Sequence, residues 1–415
     1  MTGTWPLLLL TLVYVLNFVD RQLVGILAQP IKAELGLSDR ALGLLTGVAC
    51  ALFDTSLGLP IARLAERRSR VGVIALSLAF WSAMTALCGL ARTLPHLILA
   101  RLGVGLGEAG YAPAAQSLIA DLVRPERRAT ALAIFSLGIP LGMLVGALAG
   151  GWIGQVFGWR MAFLVLGAPG LLLALVLALT LREPQRGALD REQGETTPPP
   201  FPTVLAILWR APGFAHMAAG ASIASFAGYG LTSFTVPFLM RRYALELSAA
   251  ASLYGLLAGV AIGVGIAAGG WLSDGRPGGG GAGRVAAGGA LVAGLLFSAA
   301  LTAADPWTFA WSAFLPLMGA HFYFGPTYAL TVNSVPARAR ATAIAVLLML
   351  MNAIGLGLGP LAVGALSDHF AKPADPAYGL ATALRLDVLL YFWAAAHFLL
   401  AARALRAAQP HNSAR

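Results

Sequence analysis

Long apolar stretches separated by short polar ones run the whole length of the chain, at roughly 5 to 28, 40 to 61, 71 to 91, 94 to 121, 129 to 155, 160 to 181, 212 to 240, 249 to 273, 284 to 303, 306 to 334, 341 to 367 and 384 to 406. Each is long enough to cross a bilayer as a helix of about 20 residues. None alternates apolar and polar residues with a period of two, and Leu, Ala and Gly dominate. In hydrocarbon every backbone N–H and C=O must be satisfied within the chain, which leaves helices or a closed barrel, and the missing alternation argues against the barrel. The pattern therefore predicts an all-α membrane protein with twelve transmembrane helices, numbered below as segments one to twelve.

The most polar interval, REPQRGALDREQGETTPPPFP from Arg182 to Pro202, falls near the middle and separates six segments from six. It reads as a linker, giving an expected N-terminal bundle over 1–181, a cytoplasmic linker over 182–211 and a C-terminal bundle over 212–415. A second flexible loop is expected at the glycine-rich run from Gly275 to Arg284.

Composition agrees with the pattern. Of the 415 residues 58% are apolar and 11% charged, against about 25% charged in ordinary soluble domains. A net charge of +10 would suggest nucleic acid in a soluble chain, but the arginines sit in short loops between apolar segments. Arg63, Arg67, Arg68, Arg70, Arg124, Arg127, Arg128, Arg338 and Arg340 all fall on the side that also carries the linker, so positive-inside orientation accounts for them and no nucleic-acid partner is expected. Both termini should then be cytoplasmic, in the inner membrane of a cell. No basic stretch precedes the first segment and no small-residue cleavage site follows it, so it reads as a retained helix. Cys50 and Cys88 form neither a disulfide framework nor a metal motif.

The two halves repeat each other. RRATALA around Arg128 matches ARATAIA around Arg340, 212 residues on. Gly142, Gly146 and Gly151 in segment five match Gly355, Gly359 and Gly364 in segment eleven, each at an offset of 213. ARLAER, ending in Glu66 and Arg67, corresponds to GWLSDG, which contains Gly270 and Asp274. Duplicated six-helix halves with a site between them form a transporter architecture.

Five ionisable residues lie inside predicted spans: Asp20 and Arg21 in segment one, Asp54 in segment two, Arg101 and Glu108 in segment four. At about 2.5 to 3.5 kcal/mol apiece on the insertion scale, they must pair or line water. Arg101, Gly105 and Glu108 share one helical face, as do Asn17, Asp20 and Arg21, so a cluster between segments one and four is expected. Because all five belong to the first half, the polar cavity should be lopsided. Segments seven, eight, ten and eleven have no acid within them but are rich in aromatics, among them Tyr229 and Tyr323, with His321 at the head of HFYFGP. Lipid-facing or core packing should account for half of these aromatics or more. Asp54 could instead hydrogen-bond Thr55 or Ser56, and Arg68 and Arg70 read most simply as loop cations.

On these residues the chain resembles the major facilitator superfamily. The loop after segment two keeps a worn G-x-x-x-D-[RK]-x-G-R pattern, with Ala62 for the first Gly, Glu66 for Asp, Arg67 and Arg70 retained, and Ser69 for the second Gly. R-x-x-x-G occurs at Arg101 and Gly105. LNFVDR, from Leu16 to Arg21, and GVGLGEAGYAPAAQSLIADLV, from Gly103 to Val123, are similar to the Spinster branch, which contains sphingolipid and lysophospholipid transporters, and prokaryotic organic-anion permeases share versions of both.

The resemblance implies a monomeric secondary active transporter working by alternating access, with lipid-like substrate, protons and membrane lipids as partners and no cofactor or metal. Asp20 and Glu108 are expected to carry the proton. Asn17, Arg21, Arg101, Tyr111, Tyr229, His321 and Tyr323 are expected at the substrate, with Asp54 in the polar cavity. Glu66, Arg67, Arg70, Asp121, Arg128, Gly270, Asp274 and Arg340 are expected to gate the linker side. Gly105, Gly142, Gly146, Gly151, Gly355 and Gly359 are expected at helix contacts. An organic-anion permease remains the alternative, and from another class a channel or receptor on the same fold. No Walker loop and no H-E-x-x-H occurs, so neither ATP-driven transport nor a metallohydrolase is expected.

Overall fold

The computed structural model describes residues 4–57, 60–61, 68–124, 127–184, 200–274, 280–336 and 339–408. Helix accounts for nearly all of them, and apart from the short helices Ala28–Leu35 and Phe201–Arg210 the helices fall on the twelve apolar segments. Nine helices among the described residues are long and apolar enough to cross a membrane, from Thr4–Ile26 to Tyr378–Ala407. The remaining three segments are interrupted, and the interruptions have chemical causes.

Segment four breaks into Leu94–Glu108 and Tyr111–Leu122, and segment ten into Pro306–Gly319 and Phe324–Asn333. Each second piece carries a proline at its third residue, Pro113 and Pro326, 213 residues apart. Proline has no N–H to offer the carbonyl four residues back, so the helix is cut one turn earlier, at Ala109–Gly110 and at Ala320–Tyr323. Segment two runs Asp39–Gly43, then a π-helical turn Leu44–Val48, then Ala49–Ser56. A second π-helical turn, Asn352–Leu356, sits in segment eleven.

Capping groups fix several helix starts. Ser69 accepts from the Gly72 N–H at 3.1 Å, and Asp305 from the N–H groups of Trp307 and Thr308 at 3.0 Å. Within the interval expected to be linker, Phe201–Arg210 forms a helix with Val204 and Leu208 fully buried.

Packing follows the internal repeat. In the first half segment five lies on segment one, and in the second half segment eleven lies on segment seven. Gly359 makes the second contact possible, because a Cβ there would stand 2.3 Å from the carbonyl oxygen of Phe226. The halves meet through two equivalent joints, segment five against eight and segment eleven against two, and through segments one and seven. Gly151 and Gly364 occupy matching places in those joints, facing Ala251 and the Asp39 backbone respectively.

One apolar core runs continuously through both halves, joining Leu23, Leu42 and Ala147 to Phe238, Ala251 and Val363 and continuing in the second half to Val204 and Leu208 of the linker helix. At the linker end the first half has a separate core of its own, built on Leu10, Ile74, Trp81, Tyr111, Phe135 and Leu177. The halves thus share one core, while the first half has a distinct interior at the linker end.

Candidate functional site

Between the halves lies a small cavity of about 50 Å³. Segment one contributes Phe18, Arg21, Gln22 and Gly25, segment two Thr46 and segment four Arg101. Facing them are Tyr229, Thr232 and Ser233 of segment seven and Leu356 in the π-turn of segment eleven.

The four charges expected to cluster do so. Arg21 Nε lies 2.9 Å from Glu108 Oε2, joining segments one and four. Arg101 donates through Nη1 to the backbone carbonyl of Asp20 at 3.4 Å, and the Asp20 carboxyl lies within the field of Arg101 and Glu108, beside Trp81 and Thr85 of segment three. The pairing is crosswise, each arginine reaching the acid-bearing part of the other segment. Asp20, Arg101, Glu108 and Asn17 are all buried, and Arg21 alone keeps a partly exposed side chain. Glu108 ends the first piece of segment four, so the helix break sits beside the cluster. Broken helices at corresponding places in the two halves point to a binding site in transporter folds.

The expected aromatic contacts are corrected by the packing. Tyr229 lines the cavity. Tyr111 does not: it is buried against Tyr14, Trp81 and Phe135, with its hydroxyl donating to the Leu10 carbonyl at 2.6 Å. Tyr323 is also core, stacked toward Phe398 and hydrogen-bonded to Ser225 Oγ at 2.9 Å. His321 lies over Phe324, and its Nδ1 is 2.9 Å from the Leu317 carbonyl of its own helix. A buried phenol must satisfy its hydroxyl, and in both tyrosines the fold does so away from the cavity.

The linker-side residues divide. Arg70 is a buried tie, not a loop cation: its guanidinium holds Asp121 at 2.5 Å and Glu183 at 2.7 Å, binding segments three, four and six of one half together. Burial would raise the Glu183 carboxyl, but the Val71 N–H and the Arg70 and Ser69 side chains hold it below the usual range. Arg340 is exposed at the start of its helix, and Gly270 faces Gly325 of segment ten. Glu66 and Arg67, and the side chains of Asp54, Arg128 and Asp274, lie outside the described residues.

The far end holds a network that the sequence reading missed. Both oxygens of Asp39 accept from Arg241 at 2.6 Å, Lys32 and Ser367 each add a bond at 2.6 Å, and Arg241 Nε reaches Gln29 at 2.9 Å. Asp368 accepts from the N–H groups of Asp39 and Arg40 at 2.9 and 2.8 Å, capping segment two from segment eleven. Gln155, 213 residues earlier, does the same at the other joint, where its side-chain oxygen takes the Ser248 N–H of segment eight at 2.7 Å. Burial would raise the Asp39 carboxyl, yet Arg241, Lys32 and Ser367 hold it well below the ordinary carboxylate range. These contacts join one half to the other at the end opposite the linker.

Sequence reading also missed an acid of the second half. Asp387 in segment twelve is buried, so the intramembrane acids are not confined to the first half as expected. One aspartate a turn inside a long apolar stretch is the signal that could have found it.

Comparison with known proteins places this geometry. The Major Facilitator Superfamily model matches residues 10–360. An MFS-type efflux pump of Mycolicibacterium smegmatis is 38% identical over 260 residues, covering 61% of this chain and 58% of that protein. Protein spinster homolog 1 of Mus musculus is 32% identical over 251 residues, covering 58% and 46%. The chain thus matches about half the length of these curated relatives. A bacterial homologue of the human lysosomal transporter Spinster, solved inward-facing and unoccupied, superposes with a TM-score of 0.89 at 33% identity over 99% of both chains. With the repeat, the two joints and the charged cavity already in view, the chain belongs to the major facilitator superfamily and is a Spinster-like, multi-pass membrane member of it.

Proposed function

We propose that this chain is a proton-coupled secondary transporter of an amphiphile, without enzymatic activity, sitting in the inner membrane with both termini and the 182–211 linker in the cytoplasm. The observation that carries the reading is the cavity itself. Its first-half wall presents Arg21 and Arg101 backed by Glu108 and Asp20, and its second-half wall presents Tyr229, Thr232, Ser233 and Leu356. An anionic head group suits the arginine wall, and the uncharged remainder of an amphiphile suits a wall whose Tyr229 ring and Leu356 offer apolar contact. On this reading the 1–181 and 212–415 bundles rock about this point, and the Asp39–Arg241 contact that joins the halves at the far end supports a closed outside.

Coupling follows from the shared arginines. An anionic head group that claims Arg21 or Arg101 leaves a buried carboxylate without its partner, and proton uptake accompanies substrate, giving symport. A cationic amine pairs with the carboxylate and displaces the proton, giving antiport. Asp20 is the first choice for the carrier and Glu108 the second. On the linker side, the Glu66, Arg67, Arg128, Asp274 and Arg340 motifs hold the halves together when the outside opens.

The test is uptake of lysophosphatidylcholine, sphingosine and a small hydrophilic organic acid into vesicles carrying an imposed pH gradient. Accumulation of an amphiphile, abolished by an uncoupler and lost in Asp20→Asn or Glu108→Gln, supports the reading. Accumulation of the small acid alone moves the assignment to an organic-anion permease. Amphiphile uptake with full pH dependence in both variants removes proton coupling through this cluster.

A further inference from the structure

The second half holds a buried carboxyl that the proposed mechanism does not use. Asp387 lies in Tyr378–Ala407, one helical turn before Tyr391, and is 3% exposed. Both of its carboxyl oxygens are fully buried and meet no hydrogen-bond donor among the described residues. This differs from the first-half acids, which are matched by Arg21 and Arg101 at close range.

Its setting is a three-helix junction. A Cβ at Gly230 of segment seven would stand 2.9 Å from Asp387 Oδ2 and 2.8 Å from a methyl of Val363 in segment eleven, so the carboxyl is pressed against bare backbone. The titratable groups that face it are phenols: Tyr391 on its own segment, with Tyr254 of segment eight and Tyr323 of segment ten beyond. Arg385, two residues away, lies on the exposed side of the helix. The pocket therefore contains no cation to balance an ionised carboxylate among the described residues, and both carboxyl oxygens are buried in this packing.

An anion in such a place is unstable, whereas the neutral acid fits. The neighbours add a mechanical consequence. Segments seven, eleven and twelve are all parts of the same half, and segment seven also lines the substrate cavity through Tyr229, Thr232 and Ser233. Ionising Asp387 requires water to enter beside Gly230, which requires segments seven and twelve to part.

We infer that Asp387 is a proton-binding site of the second half, carrying its proton while segments seven, eleven and twelve are packed as seen and releasing it only when segment seven moves off segment twelve. It is independent of the first-half cluster and of the substrate's identity, so it stands or falls apart from the function proposed above.

The experiment is infrared difference spectroscopy of the full-length protein in lipid vesicles, titrated from mildly acidic to strongly alkaline buffer with hydroxide as the probe. The parent is expected to show a protonated-carboxyl C=O band at neutral pH that disappears at alkaline pH while the helical amide bands are unchanged. Asp387→Asn is expected to lack that band and keep the parent's thermal midpoint, since the amide copies the neutral acid. Asp20→Asn and Glu108→Gln are expected to retain it. A neutral-pH carboxyl band identical in parent and Asp387→Asn would overturn the inference, because Asp387 would then be ionised. So would a band that belongs to Asp387 yet persists at every pH at which the protein stays folded, for then the acid is a fixed structural group and exchanges no proton.

Discussion

Gly146 and Gly359 stand at matching places, where segment five meets segment one and segment eleven meets segment seven, and Gln155 and Asp368 cap matching helices across the two joints. The side chains that face the cavity differ in charge. The first half offers two arginines, backed by Glu108 and Asp20, beside Phe18, Gln22 and Thr46, whereas the second offers a tyrosine, two hydroxyls and a leucine and no charge. Residues that hold backbone against backbone repeat because both halves pack by the same geometry; the function proposed above accounts for the difference at the cavity by one ligand presenting different ends to the two walls.

The sharpest way to break this comparison is to strip the charged wall. Arg101→Ala should lower pH-driven amphiphile uptake in vesicles by about tenfold or more, since a hydrogen bond to a charged group is worth about 1.5 to 3 kcal/mol. Thermal unfolding of the same variant checks that the loss is not simple misfolding. If uptake survives, the charged wall is scaffold and the asymmetry has another origin.

Next in size is the far-end latch. Asp39→Asn weakens the bidentate bond to Arg241 and should shift the protein toward outward-open states, read as increased labelling of cysteines introduced at the far end. Gln155→Ala, at the equivalent joint, where a neutral amide rather than an ion pair makes the contact, should move the same readout much less. Equal effects would show that the latch charges contribute nothing beyond helix capping.

The pH dependence of the latch has a definite sign. The Asp39 carboxyl is depressed in the closed state, so its contribution is full above the ordinary carboxylate value and is lost only as pH falls through the depressed one. Far-end labelling should therefore be flat between about pH 5 and 8. A rise within that window would place the titrating group elsewhere. The smallest effect belongs to the second-half tyrosines: Tyr323→Phe removes one buried hydrogen bond and should cost about 1 kcal/mol of stability without changing apparent affinity. Tyr229→Ala should weaken apparent affinity for the amphiphile, and the reverse outcome would exchange their roles.

Much of this was legible in the sequence. Helix positions followed from apolar runs, and the charged cluster followed from the face shared by Asn17, Asp20 and Arg21 and by Arg101 and Glu108. The proline pair Pro113 and Pro326, which breaks segments four and ten, was present at the repeat offset and went unread. The latch was not legible, because Asp39, Arg241 and Asp368 are helix-end charges more than a hundred residues apart whose partners are set only by how the halves dock. Tyr111 and Tyr323 misled for a related reason: helical spacing places a phenol on a face but does not say whether a backbone carbonyl or a hydroxyl from the next helix already receives its proton.

Alternating access about the central cavity is tested most directly by two distances measured together by spin-label spectroscopy. One pair joins the exposed positions Arg124 and Asn333 at the linker end, and the other joins the exposed positions Ala33 and Ala374 at the far end. Introducing Asp39→Asn should lengthen the far-end distance and shorten the linker-end distance in the same population of molecules. If the far end opens while the linker end stays where it is, or both lengthen together, the halves do not rock about the site and the account fails.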